Sequence, residues 1–213
     1  MRTVSNRPKV GSADLAAVDD QNEAVLNRSM LFENSLSQLP FGITIRPSKF
    51  SKEGTELAAL LEAAFPDTFE GRHFYKQRPH SRLLAFDEDI LVGQVGLELR
   101  AITIGGQHFE ILGIIDLCVL PERRSKGIAS ALLNAAEERA GDRDFSILFA
   151  DDPELYSKHG YEHISPAVTR WFAIENLRSH SVIERDMSGV LMAKPLGIGR
   201  WPRGDIDLLG YLF

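Results

Sequence analysis

Residues 111–130 read ILGIIDLCVLPERRSKGIAS. The first half is an apolar run whose only charged residue is Asp116. Apolar side chains on both faces mark a central strand. The second half puts Arg123, Arg124 and Lys126 around Ser125 and in front of Gly127, and then turns helical. A strand feeding a helix through a glycine turn has one chemical consequence. The first N–H groups of the helix lack intrahelical partners, and the helix dipole adds positive charge there. Such an end holds a phosphate or pyrophosphate. Gly127 lets the ligand approach the backbone, Ser125 and Ala129 are small for the same reason, and the three cations supply the rim. The glycine pattern of a Walker loop is absent, and only one glycine of a dinucleotide fingerprint is present.

Outward from this junction the chain alternates strands and helices. Upstream, Ile43–Arg46 reads as a short strand stopped by Pro47, and Thr55–Phe65 as an alanine- and leucine-rich helix. Arg82–Phe86 and the long alternating segment Ile90–Ile104 are strands separated by the acidic turn Asp87–Asp89, and Gly105-Gly106 turns the chain into the strand Phe109–Leu120. Downstream, Ser125–Ala140 reads as a helix with Ile128, Leu132 and Ala136 on one face. Ser146–Ala150 is a buried strand, Asp152–His159 a short helix with Gly160 at its αL end, and Thr169–Ile174 and Val190–Leu196 are late strands. The order predicts an α/β fold, a mixed sheet flanked by helices.

The chain has 213 residues, 44% of them hydrophobic, enough for one domain with a sizeable core. Residues 1–40 are polar and are expected to form a partly helical or mobile extension, leaving 41–213 as the domain. A homodimer built with that arm is an expectation for the assembly. The net charge of −6 argues against nucleic acid as the main partner. No apolar stretch is long enough to span a bilayer, and the first residues lack the apolar core of a secretory signal, so no membrane partner and a cytoplasmic location are expected. The single cysteine, Cys118, reads as a small core residue. The six histidines have no metal-ligand spacing, so no metal is expected.

The segment beginning at Arg124, R-x-x-G-x-A, with Pro121 before it, resembles the acyl-CoA pyrophosphate loop of the GNAT superfamily of N-acyltransferases. About thirty residues on, PELYSKHGYEHI at 153–164 is similar to the family's Y-x-x-x-G-F/Y element, with Tyr156, Gly160 and Tyr161 at its positions. The resemblance implies the GNAT fold, a mixed, mostly antiparallel central sheet, and acetyl-CoA as acyl donor. It also implies donor contacts at Leu117, Cys118 and Val119 for the pantetheine arm, and at Arg124, Ser125, Lys126, Gly127, Ile128 and Ala129 for the pyrophosphate. Tyr156 would protonate the departing thiolate, a role that suits a phenol.

Two flanking stretches are similar to a narrower branch. FEGR at 69–72 with RPHSRLLAFD at 78–87, and the tail GRWPRGDIDLLGYLF at 199–213, resemble the nodulation acyltransferases of the NodA kind. The tail also resembles the W-x-x-G-D segment of aminoglycoside 2′-N-acetyltransferases. Trp201 and Asp205 would then contact an amino-sugar acceptor. This chain departs from those relatives in carrying Arg200 before the tryptophan, where they have an acidic residue.

The expected reaction is direct transfer of an acetyl group to a primary amine of a small molecule or amino sugar. Asp116 is the first choice for a general base, with a structural carboxylate as the equal alternative and Glu110 and Asp205 as further choices. Two other readings stay open at this level: NodA-like transfer of a longer acyl group, and a non-catalytic acyl-CoA sensor.

Overall fold

A computed structural model describes residues 42–49, 52–175 and 177–213. The proposed extension 1–40 lies outside the described residues. The described chain is built on a ten-stranded sheet. Strands β1 (Ile43–Pro47), β2 (Ser81–Asp87), β3 (Ile90–Ile104) and β4 (Gln107–Val119) form an antiparallel meander. Strand β5 (Phe145–Phe149) pairs parallel with β4, and β9 (Leu191–Pro195) pairs antiparallel with β5. Eight strands run in the order β6-β9-β5-β4-β3-β10-β7-β8, with β6 (Glu162–His163), β7 (Val168–Glu175), β8 (Arg178–Asp186) and β10 (Ile206–Tyr211), and β1 and β2 branch from β3 off this path.

Helix α1 (Gly54–Ala64) buries Leu57, Leu60 and Leu61. These pack on Leu84, Phe86, Leu91 and Cys118 on one face of the sheet. Helix α2 (Ile128–Glu137) buries Ile128, Leu132 and Ala136, one stripe at i, i+4 spacing, against Leu83, Val95, Leu97 and Leu112 on the opposite face. Strand alternation assigns residues to the two faces, so each helix covers a different half of the same strands.

The expected mixed sheet with helices on its faces is present, with differences. The helix expected over Ser125–Ala140 begins only at Ile128, because Ser125 and Gly127 both have left-handed backbone (φ 58° and 78°). The helix expected over Asp152–His159 shortens to α3 (Glu154–Lys158), and Gly160 stands at φ 82° as its αL end. Three strands, β6, β8 and β10, carried no sequence signal that separated them from loops. Strand β8 reads RSHSVIERD, a polar edge with no apolar alternation. Strand β10 lies in the tail, and it pairs with both β3 and β7.

Candidate active site

Strands β4 and β5 pair only over Ile111–Gly113 and Phe145–Ile147. Beyond that point β5 stays with β9 and β4 stays with β3, so the two diverge. The divergence coincides with an irregularity in β4. Gln94 is opposite Cys118 but Gly96 is opposite Ile115, so β4 carries one extra residue between them. Asp116 takes a left-handed φ of 49° there. This is a β-bulge, which bends and twists the strand that bears it. Strand β3 makes room with a glycine: a Cβ on Gly96 would sit 2.6 Å from Ile115. On a regular strand Asp116 and Cys118, two residues apart, would share a face. The bulge corrects that, because the inserted residue breaks the two-residue period between them.

The cleft so formed is a cavity of about 550 Å³. Leu117, Cys118 and Val119 form one wall, and Ala64 and Phe65 at the end of α1 form another. Asp152, Leu155 and Tyr156 enter from the α3 side. The floor is the N-terminus of α2 with its preceding loop: Arg124, Ser125, Gly127, Ile128, Ala129 and Ser130. The first helical bond runs from the Ala131 N–H to the Gly127 carbonyl, and no side chain caps the helix. The N–H groups of Ile128, Ala129 and Ser130 therefore stand as the unpaired donors of a helix end at the cavity. Their local dipole favours an anion. The Arg124 Nε donates to the Val119 carbonyl at 3.3 Å, tying the loop to the end of β4. Arg123 is committed to a salt bridge with Asp87.

A buried polar row runs behind the bulge. Arg82 and Gln94, both almost fully buried, meet through Arg82 Nη1 and Gln94 Oε1 at 2.5 Å. The Gln94 amide in turn donates to the Asp116 carbonyl, and Arg82 Nη2 donates to the His73 carbonyl at 3.1 Å. Glu98, fully buried, accepts from the Tyr211 hydroxyl at 2.7 Å and from Arg100 at 3.0 Å, and pairs with His80 Nδ1 at 2.9 Å. Burial pushes the Asp116 carboxyl above the usual carboxylate range; Arg82 opposes the rise and the Glu98 charge adds to it. Sequence reasoning missed this row. The signal was available: Arg82, Gln94 and Glu98 interrupt otherwise apolar strands.

Residues 44–164, more than half of the chain, match the Acetyltransferase (GNAT) domain. The chain belongs to the GNAT acetyltransferase family. No curated protein matches it. Among solved structures, the GNAT family N-acetyltransferase YhbS from Escherichia coli, in complex with CoA, is 19% identical with a TM-score of 0.57, over 78% of this chain and 89% of that one. A GNAT family acetyltransferase from Brucella melitensis, in complex with acetyl-CoA, is 18% identical with a TM-score of 0.52, over 77% of this chain and 94% of that one. Both likenesses are in the fold.

Within this GNAT fold most of the residues singled out in the sequence come together. Leu117, Cys118, Val119, Arg124, Ser125, Gly127, Ile128, Ala129 and Tyr156 line the one cavity. Lys126 is exposed, and neither it nor Asp116, which stands at the bulge, is among the residues that line the cavity. Burial, followed by the Asp152 charge, raises the Tyr156 phenol above its usual range, so it is protonated at neutral pH. Its ring meets Tyr161 edge-on at 6.1 Å, and Tyr161 is fixed by Ser146 at 2.7 Å. Burial pushes the Cys118 thiol up to about 12, which keeps it un-ionised and unreactive as a nucleophile.

The structure does not bring Trp201 and Asp205 to the cavity. The Asp205 carbonyl accepts from Gly105 N–H at 2.9 Å, in the β3–β4 turn. Trp201 packs edge-on against Phe145 at 5.0 Å. Ten residues of β4 separate that turn from the cavity wall, roughly 30 Å at the rise of a strand. Trp201 is therefore a packing residue, because the tail enters β10 at the hairpin end of β3. The far end of the tail comes closer to the cleft. Phe213 lies where a Cβ on Gly113 would be, 2.6 Å away, and meets Phe149 at 5.7 Å. Glu110 is exposed on the hairpin half of β4, also away from the cavity. Among the described residues, no group of acidic, histidine or cysteine side chains is arranged for a metal, and no helix is long and apolar enough to cross a membrane.

Proposed function

We propose that this GNAT protein transfers an acetyl group from acetyl-CoA to the primary amine of a small molecule or amino sugar. The observation that carries the reading is one cavity joining the uncapped N-terminus of α2, a strand edge freed by divergence, and a protonated phenol. The helix end suits the pyrophosphate of the donor. The freed edge of β4, at Leu117–Val119, offers backbone groups to the pantetheine amides, and the Val119 N–H would polarise the thioester carbonyl. The two solved structures of this fold that hold CoA and acetyl-CoA support that choice of donor.

The step is direct. The amine lone pair forms a C–N bond to the thioester carbonyl carbon, and the C–S bond breaks. The thiolate takes its proton from the Tyr156 hydroxyl. The proton lost by the amine passes to the Asp116 carboxylate, directly or through water, and the raised basicity of that group suits the task. The inert Cys118 leaves no covalent enzyme intermediate to be made, and proximity supplies much of the rate. The amino-sugar acceptor rests on the resemblance of FEGR and the RPHSR stretch to enzymes acting on amino sugars.

Thiol release from acetyl-CoA, compared with octanoyl-CoA, across amino sugars, aminoglycosides, polyamines and amino acids tests the reading. Acetyl-dependent release with one amine class is the expected result. Preference for octanoyl-CoA would replace it with longer-chain transfer. Tight acetyl-CoA binding without release would replace it with a sensor.

A further inference from the structure

Arg82 is 1% exposed, yet its guanidinium bonds only neutral partners. Nη1 donates to the Gln94 amide oxygen at 2.5 Å, and Nη2 to the His73 carbonyl at 3.1 Å. Among the described residues, Nε is buried without a partner, and no carboxylate touches the group. An arginine keeps its charge wherever it sits. A buried charge with no counter-charge is among the costliest arrangements a fold can hold. The neighbours Leu83, Leu84 and Ala85 are buried and apolar, so strand pairing alone does not ask for a cation at this position.

Asp116 is in the complementary state. It is mostly buried at the bulge, and no described residue donates a hydrogen bond to its carboxylate. The two residues meet across one side chain. Arg82 is opposite Gly96 on β3, and Gly96 is opposite Ile115, the residue before Asp116. Gln94 is opposite Cys118, on the other side of the bulge. Its amide oxygen accepts from Arg82, and its amide nitrogen donates to the Asp116 carbonyl. A guanidinium only donates and a carbonyl only accepts, so the amide fits in one orientation. A single planar group therefore separates the guanidinium from the backbone of the residue that carries the carboxylate.

The other ionisable groups around the pair are accounted for. Glu98 on β3 already has Arg100, Tyr211 and His80, so it is not the counter-charge of Arg82. Cys118 on β4 is kept un-ionised by burial. On the loop after α1, burial and then the charges of Arg78 and Arg82 hold the His73 imidazole below its usual range, so it adds no charge. Asp116 is then the carboxylate whose charge acts on Arg82. The action is mutual: burial raises the Asp116 carboxyl, Arg82 opposes the rise, and Glu98 adds to it.

We propose that Arg82 is a positioning residue for Asp116: through Gln94 it fixes the bulge that presents the carboxylate, and its guanidinium is the buried counter-charge of that carboxylate. Its effect on turnover rests on Asp116 acting as the base; the pairing itself does not. The test is an NMR titration of the full chain, labelled at its Asp carboxyl carbons and Arg side-chain nitrogens. Asp116→Asn identifies the Asp116 signal. In the wild type the Arg82 Nε resonance should move at the Asp116 midpoint, and in Asp116→Asn it should stay still. Arg82→Gln, neutral but still able to donate to Gln94, should move the Asp116 midpoint to higher pH. Arg82→Lys loses the planar fork and keeps a cation, so it should leave the midpoint near the wild-type position. Thiol release measured on the acid limb should fall about tenfold in Arg82→Gln and less in Arg82→Lys, with acetyl-CoA binding unchanged in both. A purely structural role would change both variants alike and leave the midpoint where it is, and that result would overturn the proposal. An Arg82 Nε signal blind to the Asp116 titration would overturn it even if neither variant folds. A midpoint that follows the Arg82 charge while the acid limb does not would uphold the pairing and remove Asp116 as the base.

Discussion

The side-chain amide of Gln94 donates to the backbone carbonyl of Asp116, and so joins the buried polar row of the sheet to the bulge that opens the cleft. Gln94 is fully buried, and its oxygen is held by Arg82, which is also buried. Each group in this chain has its partner only while the others stay. Gln94→Leu would leave Arg82 Nη1 and the Asp116 carbonyl without their Gln94 partner. It should cost about 2–4 kcal/mol of stability by denaturant unfolding, the range for breaking a buried hydrogen-bonded charge. An unchanged unfolding midpoint would show that the row does not hold the bulge.

Tyr156→Phe removes the hydroxyl and leaves the ring that meets Tyr161 edge-on. Under the proposed mechanism, turnover should fall about 100-fold while the acetyl-CoA dissociation constant stays within a factor of two, the split expected for a lost proton donor. Steady-state thiol release with calorimetry of donor binding measures both. Unchanged turnover would remove Tyr156 from the chemistry.

Asp116→Asn tests the base and carries a second, thermodynamic signature. Burial raises the folded-state carboxyl, with Arg82 opposing and Glu98 adding to the rise. A general base acts when ionised, so the rate should rise with pH through that elevated value, and the Asn variant should lose this limb of the profile. For stability the sign is opposite. A raised carboxyl contributes stability that is complete below the unfolded pKa and is lost as pH rises through the folded one. Above the folded pKa the wild type has lost it, so the neutral Asn variant should be no less stable there, and asparagine accepts the left-handed backbone at this site. Thermal melts across pH 4 to about 8 check the stability half.

Gly127 has a φ of 78° and is the residue from which α2 starts. An L side chain in that region costs about 1–2 kcal/mol. Gly127→Ala should shift the loop off its geometry and weaken acetyl-CoA binding about tenfold, measured by calorimetry. Overall melting should move by only a few degrees, because the loop is exposed.

Glu53 is buried just before α1, where Arg46 Nη1 donates to it at 2.8 Å and the Lys49 N–H at 2.9 Å. Burial alone would raise its carboxyl; the bonds from Arg46, Lys49 and Ser48 outweigh it and hold the group below its usual range. Its contribution is therefore present above the unfolded pKa and lost as pH falls through the folded one. Glu53→Gln should lower stability at pH 7 and narrow its gap to wild type as the pH approaches 3. A constant gap would contradict the assignment.

Several features of the fold and the site were legible one residue at a time. The i, i+4 stripe of α2, the glycine at its start and the tyrosine before Gly160 follow from local pattern and backbone stereochemistry, which nearby residues dictate. The inert state of Cys118 follows from its place in an apolar run. The edges of helices were less legible, because left-handed turns at Ser125 and Gly127 delay α2 in a way that propensity does not show.

What the sequence determined by itself was the junction: an apolar strand, a turn that only glycine suits, and a helix whose first N–H groups are unpaired. Those properties need few distant partners. The tertiary structure alone decided where β4 leaves β5, since a bulge at Asp116 depends on Gly96 and Gln94 of the neighbouring strand. It also decided that the tail brings Phe213, and not Trp201, toward the cleft. Strand register is set by pairing across the sheet, and the residues that fix it lie far apart in the chain.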